Sequence, residues 1–259
     1  MRIIEPSVDI YNEPDHYKKI ETIARVCTGT QDKVGSKPGF VENLWKNHHE
    51  TPFEHVRIAA DWNVRRIREK TYGIWDRLGV VGKSEKRLAI NVRDYLTLGG
   101  KLEDLKELPE ADDYMTVKFT VDIGVARELI RHRQMSFMER STRYINFKDG
   151  IDFIRPDLFK FANSKIYGPC MTWRNGCAEA ERAYHAMIAG GCNPQDARSV
   201  LPLSTATVLY VTGMYNQWED MLKLRLAPGA HPQMRYIMQK LVELGKFPKD
   251  KIKVPEAGK

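Results

Sequence analysis

Several features that would place the chain in a special class are absent or scarce. No apolar run approaches the roughly 18 residues that a membrane helix needs, and the first residues lack the apolar core of a signal peptide. There are four cysteines in 259 residues, without a Cys-x-x-Cys pair, so neither a zinc ribbon nor a disulfide framework is indicated. No internal repeat is present. We therefore expect a soluble, cytoplasmic protein without a metal site.

The composition is that of a globular protein with excess positive charge. Apolar types make up 42% and charged types 29%, which excludes the disordered class. The formal net charge is +7, and residues 127–143 and 246–259 each hold five basic and two acidic residues. A lysine-rich tail such as 246–259 is typical of a solvated chain end. Five arginines within 127–143 instead suit an anionic ligand.

Hydrophobic periodicity predicts many helices and a few strands. Alternation over 115–121 and the apolar run 56–62 predict strands, whereas the β-branched run 207–212 fits either type. Asp122 is placed to cap a helix. Further helices are predicted at 17–27, from Pro38 to residue 48, at 178–189 and 193–202, and around Trp218 and Ile237.

Two predictions concern the middle of the chain. Residues 63–113 are predicted to be mostly helical. A helix whose apolar face is made of Leu88, Val92, Tyr95 and Leu96 is predicted to end at Gly99-Gly100, and 101–113 to form a charged connector. The helix after Asp122 is predicted to bury Val125, Leu129 and Ile130. It would place Arg127 and Arg131 one turn apart near its C-terminal end.

The segment 131–144 concentrates groups that suit phosphate. Arg131-His132-Arg133 is followed by hydroxyl side chains and by Arg143. Guanidinium groups can bind phosphate oxygens through two hydrogen bonds, and hydroxyls add neutral donors. An exposed basic helix end with surface salt bridges explains the segment equally well when it is considered alone.

Arg-His-Arg, seven further residues and then Ser-x-Arg-Tyr resembles the signature of the flavin-dependent thymidylate synthases. Two more stretches are similar to that family. They are His-Glu-Thr-Pro-Phe-Glu-His at 49–55, and Ala-Arg-Ser-Val-Leu-Pro at 197–202 followed by Leu-Lys-Leu-Arg at 222–225. All three occur in the family's order, and 63–113 is an unmatched insertion.

The resemblance implies an α+β fold in a single domain, 1–259, with helices packed on a mainly antiparallel sheet. It implies a homotetramer whose sites combine residues of different subunits. The implied reaction is the methylation of dUMP to dTMP, with methylenetetrahydrofolate as one-carbon donor, FAD as cofactor and NADPH as reductant. No nucleic acid or membrane partner is implied.

The resemblance also implies roles for individual residues, with Arg225 as the catalytic one. The residues implied to bind dUMP are Glu128, Arg131, Glu139, Arg140, Ser141, Arg143, Arg198 and Arg225. The residues implied to bind FAD are His49, Thr51, Arg131, His132, Arg133, Glu139, Asn216 and Asp220. Asn216 and Asp220 stand where the family commonly has Arg and Asn.

Arg225 also stands out from its position alone. It lies three residues after Leu222 and seven after Trp218, on the apolar face of its predicted helix, where an unpaired charge is costly. A guanidinium there could stabilise the uracil anion formed when N3 loses its proton, which activates C5 without an enzyme thiol. The alternative is an arginine that snorkels to solvent at the helix end.

Two departures from the family pattern leave other functions open. Met138 stands where the family usually has Asn, and Glu128 where Gln is expected. They favour, as an alternative, a diverged relative acting on another pyrimidine nucleotide. A pI near 9.1 and the basic segments suggest a second alternative of a different class, a nucleic-acid-binding protein.

Overall fold

The computed structural model describes residues 1–61, 79–80, 87–156 and 164–245. Its strands are β1 Arg2–Ile4, β2 Ser7–Ile10, β3 Arg57–Asp61, β4 Gly79–Val80, β5 Arg87–Asn91, β6 Tyr114–Asp122, β7 Ser136–Glu139, β8 Asp152–Ile154 and β9 Ala206–Met214. Its α-helices are α1 His16–Val26, α2 Phe40–Lys46, α3 Val92–Thr97, α4 Ile123–Leu129, α5 Ser164–Ala189, α6 Pro194–Ala197, α7 Tyr215–Leu226 and α8 Pro232–Glu243. Short 3₁₀ turns lie at Gln31–Lys33, Thr51–His55, Leu102–Lys106 and Arg198–Val200.

The central sheet has the order β2-β6-β9-β7 and is antiparallel throughout. Its longest ladder joins β6 and β9 over nine pairs, from Tyr114 opposite Met214 to Asp122 opposite Ala206. β9 is buried along almost its whole length, because it lies between two strands and has apolar cover on both faces. This position explains why the β-branched run 207–212 forms a strand rather than a helix.

Helices cover both faces of this sheet. On one face, α4, α7 and α8 pack against the alternating apolar residues of β6, where the rings of Phe119 and Trp218 stack at 6.4 Å. The Trp218 indole N–H donates to the carbonyl of Met115 at 3.1 Å, so this buried polar group is satisfied. On the other face, α1 packs Ile23 and Val26 against β9. The predicted strand 115–121 is therefore confirmed.

A second sheet has the order β3-β5-β4, also antiparallel. It packs with α1, α2 and α3 around a separate apolar cluster that includes Ile58 and Ile90. The strand predicted at 56–62 is observed as β3. The prediction of a mostly helical 63–113 is wrong for the described part, since Leu88 lies on β5 and α3 spans only six residues. Residues 63–78 and 81–86 of that prediction lie outside the described residues.

Three helix ends also differ from the predictions. α2 begins at Phe40 rather than near Pro38, because Gly39 adopts a left-handed backbone with φ of 69°. It ends at Lys46, before His48. α4 is capped by Asp122 as predicted but stops at Leu129, so Ile130 is 42% exposed instead of buried and Arg131 follows the helix.

The fold confirms the predicted class, α+β with a mainly antiparallel sheet, since β1 and β8 form the one parallel pair among the described strands. The helix predicted at 178–189 is the second half of the longer α5, which contains Pro169. No helix among the described residues combines the length and the apolar character needed to span a membrane. The tail 246–259 lies outside the described residues.

Two leucines of α7 provide a matched test of this packing. Leu222 is fully buried, whereas Leu224 is 57% exposed. We expect Leu222→Ala to lower the free energy of unfolding by about 2–5 kcal/mol, because burial is lost and a cavity remains. Leu224→Ala should change it by less than about 0.5 kcal/mol. Urea denaturation measures both, and equal losses would contradict the packing described.

Candidate functional site

Arg225 is held by three hydrogen bonds near the end of α7. Its Nη1 donates to Glu128 Oε2 at 3.2 Å, its Nη2 to the Glu128 carbonyl at 2.8 Å, and its Nε to His132 Nε2 at 3.0 Å. The side chain is only 14% exposed. This pairing, rather than snorkelling into solvent, offsets the cost of placing its charge beside the buried Trp218 and Leu222.

The contact with Arg225 fixes the protonation of His132. A guanidinium only donates hydrogen bonds, so His132 Nε2 must accept, and the ring's proton lies on Nδ1. Burial, together with the charge of Arg225, lowers the pKa of His132. The ring is therefore a neutral donor through Nδ1–H.

The loop after β7 carries a group of basic residues that is separate from Arg225 and its partners and lies close to Ser141. The Ser141 amide donates to the Cys27 carbonyl at 3.1 Å, and Ser141 Oγ accepts from the Arg143 amide at 3.2 Å. Arg198, from the 3₁₀ turn Arg198–Val200, donates to Thr142 Oγ1 at 3.4 Å. These contacts bring Arg198 to the loop across 56 residues of sequence. Both Arg143 and Arg198 are exposed and can reach a ligand.

Arg140 adds an incompletely satisfied cation to this group. Its Nε is buried and has no hydrogen-bond partner among the described residues. Burial lowers the pKa of the Arg140 guanidinium, and the charge of Asp152 opposes that shift. Since a buried charged group without its hydrogen bonds is costly, an anion bound here would stabilise the loop.

The two residues before Arg140 belong to the sheet. Burial raises the pKa of Glu139, and the charge of Arg127 partly opposes this rise. Met138, where the family usually has Asn, is 8% exposed and lies in the apolar cluster between α1 and β9. Its sulfur is 3.1 Å from Cys27 Sγ. An apolar residue at 138 therefore serves packing.

The block 49–55 has a buried half and an exposed half. Pro52, Phe53 and His55 are buried, whereas His49 and Thr51 are exposed. His55 Nδ1 lies 2.8 Å from Thr212 Oγ1, which ties the block to β9 of the central sheet. The block therefore presents the two residues that the family resemblance assigns to the flavin.

The turn 131–134 packs on the start of α7. Gln217 Nε2 donates to the Gln134 carbonyl at 3.0 Å, and Gln217 Oε1 accepts from the Met214 amide at 2.8 Å. Gly213 permits this approach, since a Cβ there would meet Met135 Cε at 2.4 Å. The predicted flavin contacts Asn216 and Asp220 are exposed on α7, as are Arg131 and Arg133 on the turn.

The predicted site residues thus form two groups at opposite ends of β7. The first, before β7, contains Glu128, Arg131, His132, Arg133 and Arg225; the second, after it, contains Arg140, Ser141, Arg143 and Arg198. Four extended residues span about 13 Å. Within one chain, β7 therefore separates the predicted nucleotide contacts into two groups.

A cleft of about 790 Å³ opens beside the first group. Arg127, Glu128 and Arg131 line it on one side, and Trp173, Leu203 and His231 contribute to the remainder. Its volume is in the range of small-molecule sites, roughly 300–1,000 Å³. Trp173, Leu203 and His231 could not be predicted as cleft residues from the sequence, because they come from three separate segments that share no motif.

Comparison with known proteins shows the family to which the chain belongs. The family model described as "Thymidylate synthase complementing protein" matches residues 112–248, which include both basic groups and all of α7. The chain belongs to this family. The resemblance inferred from the sequence is thereby confirmed.

The relatives are distant. A flavin-dependent thymidylate synthase of Aquifex aeolicus is 23% identical, covering 88% of this chain and 93% of the relative. One of Pyrococcus furiosus is 28% identical over 51% of this chain, and a probable one of Paramecium bursaria Chlorella virus 1 is 26% identical over 45%. The matched region spans just 54% and 58% of those two relatives.

The fold is also similar to a solved structure. The UMP/dUMP methylase PolB from Streptomyces cacaoi, bound with 5-Br UMP, has a TM-score of 0.50 and 19% identity. The similarity covers 95% of this chain and 91% of that protein. At this identity the likeness shows the fold alone.

The buried His55 yields a prediction for pH. Burial, and secondarily the charge of Lys19, lowers its pKa from 6.5 to about 3. Between these values the unfolded chain binds a proton that the folded chain does not, so stability falls as pH falls. From pH 7.0 to 5.5 we expect the parent to lose about 1 kcal/mol more than His55→Asn, measured by urea denaturation. Equal losses would show that His55 protonates normally when folded.

Proposed function

We propose that the protein methylates dUMP to dTMP, with methylenetetrahydrofolate as one-carbon donor, FAD as cofactor and NADPH as reductant. The observation that carries the proposal is the Arg225 cluster in a chain of this family. An arginine that is paired, nearly buried and aligned with a neutral histidine suits a reaction in which negative charge develops on a pyrimidine ring.

Arg225 retains the hydrogen-bond donors that such a role requires. A guanidinium has five N–H groups, and the contacts with Glu128 and His132 use three of them. One N–H remains on Nη1 and one on Nη2. Both lie in the guanidinium plane, and we assign them to the oxygen and the deprotonated nitrogen of a uracil edge. The charge stabilises the ring anion formed when N3 gives its proton to solvent water, and C5 of that anion is nucleophilic.

The second group suits the phosphate of the nucleotide. Ser141 supplies a hydroxyl, and Arg143 and Arg198 supply exposed guanidinium groups. Arg140 supplies a buried N–H that lacks a partner among the described residues. Phosphate oxygens accept several charge-assisted bonds at once, which matches this donor set. Glu139, Glu128 and Arg131 complete the proposed dUMP contacts.

A further set of predicted residues, most of them exposed, suits a flavin. FAD, when bound, supplies the hydride chemistry of the reaction. We assign His49, Thr51, His132, Arg133, Glu139, Asn216 and Asp220, with Arg131, to holding it. His132 offers Nδ1–H as a neutral donor, and Arg131 and Arg133 match a pyrophosphate.

The proposed assembly is a homotetramer of single-domain chains in the cytoplasm. The separation of the two groups by β7, about 13 Å within one chain, supports the part of this proposal in which a site is shared between subunits. In a symmetric oligomer, the first group of one subunit can face the second group of another. A complete nucleotide site then requires at least two chains.

UMP is a second candidate substrate. The solved UMP/dUMP methylase, whose similarity covers 95% of this chain, is bound with 5-Br UMP in one structure and with 5-Br dUMP in another, and UMP differs from dUMP only by its 2′-hydroxyl. The two pyrimidine nucleotides can be separated by comparing turnover at equal concentrations. Membership of the family argues against the nucleic-acid-binding alternative.

We expect the purified protein, supplied with FAD, to show an oxidised-flavin band near ~450 nm, as the cofactor's chemistry requires. With dUMP, methylenetetrahydrofolate and NADPH it should form dTMP, measured by chromatography of the product. Omission of each substrate in turn is the control. A protein that neither retains nor binds FAD contradicts the proposal.

The two basic groups should respond differently to mutation. Arg143→Ala should mainly weaken dUMP binding, because a phosphate contact acts in ground and transition states alike. Arg225→Ala should mainly slow flavin reoxidation by dUMP plus methylenetetrahydrofolate, by about a hundredfold for a lost charge-assisted contact. Flavin reduction by NADPH should persist in both. Stopped-flow absorbance separates these steps, and a parental reoxidation rate in Arg225→Ala would refute its assigned role.

A further inference from the structure

The block 49–55 is held by an arginine that lies outside every segment resembling the family. Arg93, on α3, donates through Nε to Glu50 Oε2 at 2.9 Å and through Nη1 to Glu54 Oε1 at 2.5 Å. A single guanidinium therefore joins two carboxylates of the block. Arg93 lies in the insertion 63–113 and before the region 112–248 that matches the family.

The two carboxylates flank the residues assigned to the flavin. Glu50 stands between His49 and Thr51, and Glu54 follows three residues later in the turn Thr51–His55. Both glutamates are partly shielded, with side chains 28% and 19% exposed. Without a cation between them, two negative charges within reach of one guanidinium would repel each other.

Arg93 itself is placed by rigid elements. β5 pairs with β3, which directly follows the block, and the Val92 amide donates to the Val56 carbonyl at 2.9 Å. Asn91 then caps α3 by accepting from the Asp94 amide at 2.8 Å. The insertion thus returns the chain to the block and presents a fixed cation to it.

We propose that Arg93 is a positioning residue for the flavin: by holding Glu50 and Glu54 it sets the orientation of the exposed His49 and Thr51. This inference rests on the proposed function. The described part of the insertion then has a role, because β5 and α3 support the side of the site assigned to the cofactor. Within the described part of the chain, the Arg93 side chain donates to Glu50 and Glu54, neither of which is assigned to dUMP, so nucleotide binding should be independent of it.

The test compares Arg93→Gln with the parent and with Arg182→Gln. The control removes another arginine–carboxylate pair, Arg182 with Glu179 on α5, and neither residue is assigned to the nucleotide or the flavin. Quenching of flavin fluorescence measures FAD affinity, and calorimetry measures dUMP affinity. We expect FAD to bind Arg93→Gln about five- to tenfold more weakly, the order for two partly exposed ion pairs. FAD affinity in Arg182→Gln, and dUMP affinity in both variants, should change less than about twofold.

Three further variants exclude a general loss of structure. Arg93→Lys keeps the charge but cannot span both carboxylates with a planar group, so partial rescue is expected. The double variant Glu50→Gln with Glu54→Gln should weaken FAD binding by a similar factor, and adding Arg93→Gln to it should have little further effect. The double and triple variants test the contact between Arg93 and the two glutamates even if Arg93→Gln alone does not fold.

The outcomes separate this inference from the proposed function. If the parent binds FAD and Arg93→Gln binds it equally well, the inference is wrong and the proposed function stands. If FAD and dUMP affinities fall together, Arg93 is merely structural and the inference is also wrong. If the parent binds dUMP but no FAD, the proposed function fails first.

Discussion

The ladder between β6 and β9 positions the Arg225 cluster. Asp122, at one end of the ladder, caps α4, and Met214, at the other end, leads into α7. The two helices pack on the same face of the sheet and run towards each other. Nine strand residues span roughly 30 Å, and helices of seven and twelve residues span together roughly 28 Å. The C-terminal ends of α4 and α7 therefore meet, and Glu128 and Arg225 come into contact there.

This meeting of two helix ends is also an electrostatic arrangement. The C-terminal end of a helix carries partial negative charge from its unpaired carbonyls, which stabilises a cation. Arg225 lies in the last turn of its own helix and donates to the Glu128 carbonyl near the end of α4. The Glu128 carboxylate adds a full negative charge. A glutamine at 128 would keep the geometry but not this charge, so the departure from the family pattern affects the strength with which Arg225 is held.

The features that could be predicted from the sequence are those with a local cause. Alternation identified β6, a single Asp identified the start of α4, and spacing placed Arg225 on the apolar face of α7. β5 was missed, because Leu88, on the strand, is spaced from Val92, Tyr95 and Leu96 of α3 as if all four lay on one helical face. Its pairing with β3 depends on residues about thirty positions away. The contact between Arg225 and Glu128 spans 97 residues and has no local signal.

The division of the site into two groups has the same origin. A resemblance assigns roles to residues one by one, whereas the length of β7 decides which of them share a pocket in one chain. The block 49–55 illustrates a further consequence, since it is tied to the central sheet by His55 with Thr212 and to the second sheet by Arg93. The ladder, α4 and α7 lie within the family-matched region, while the block lies outside it. On the proposed assignment, the support of the flavin side can therefore diverge through the insertion while the geometry around the pyrimidine is retained.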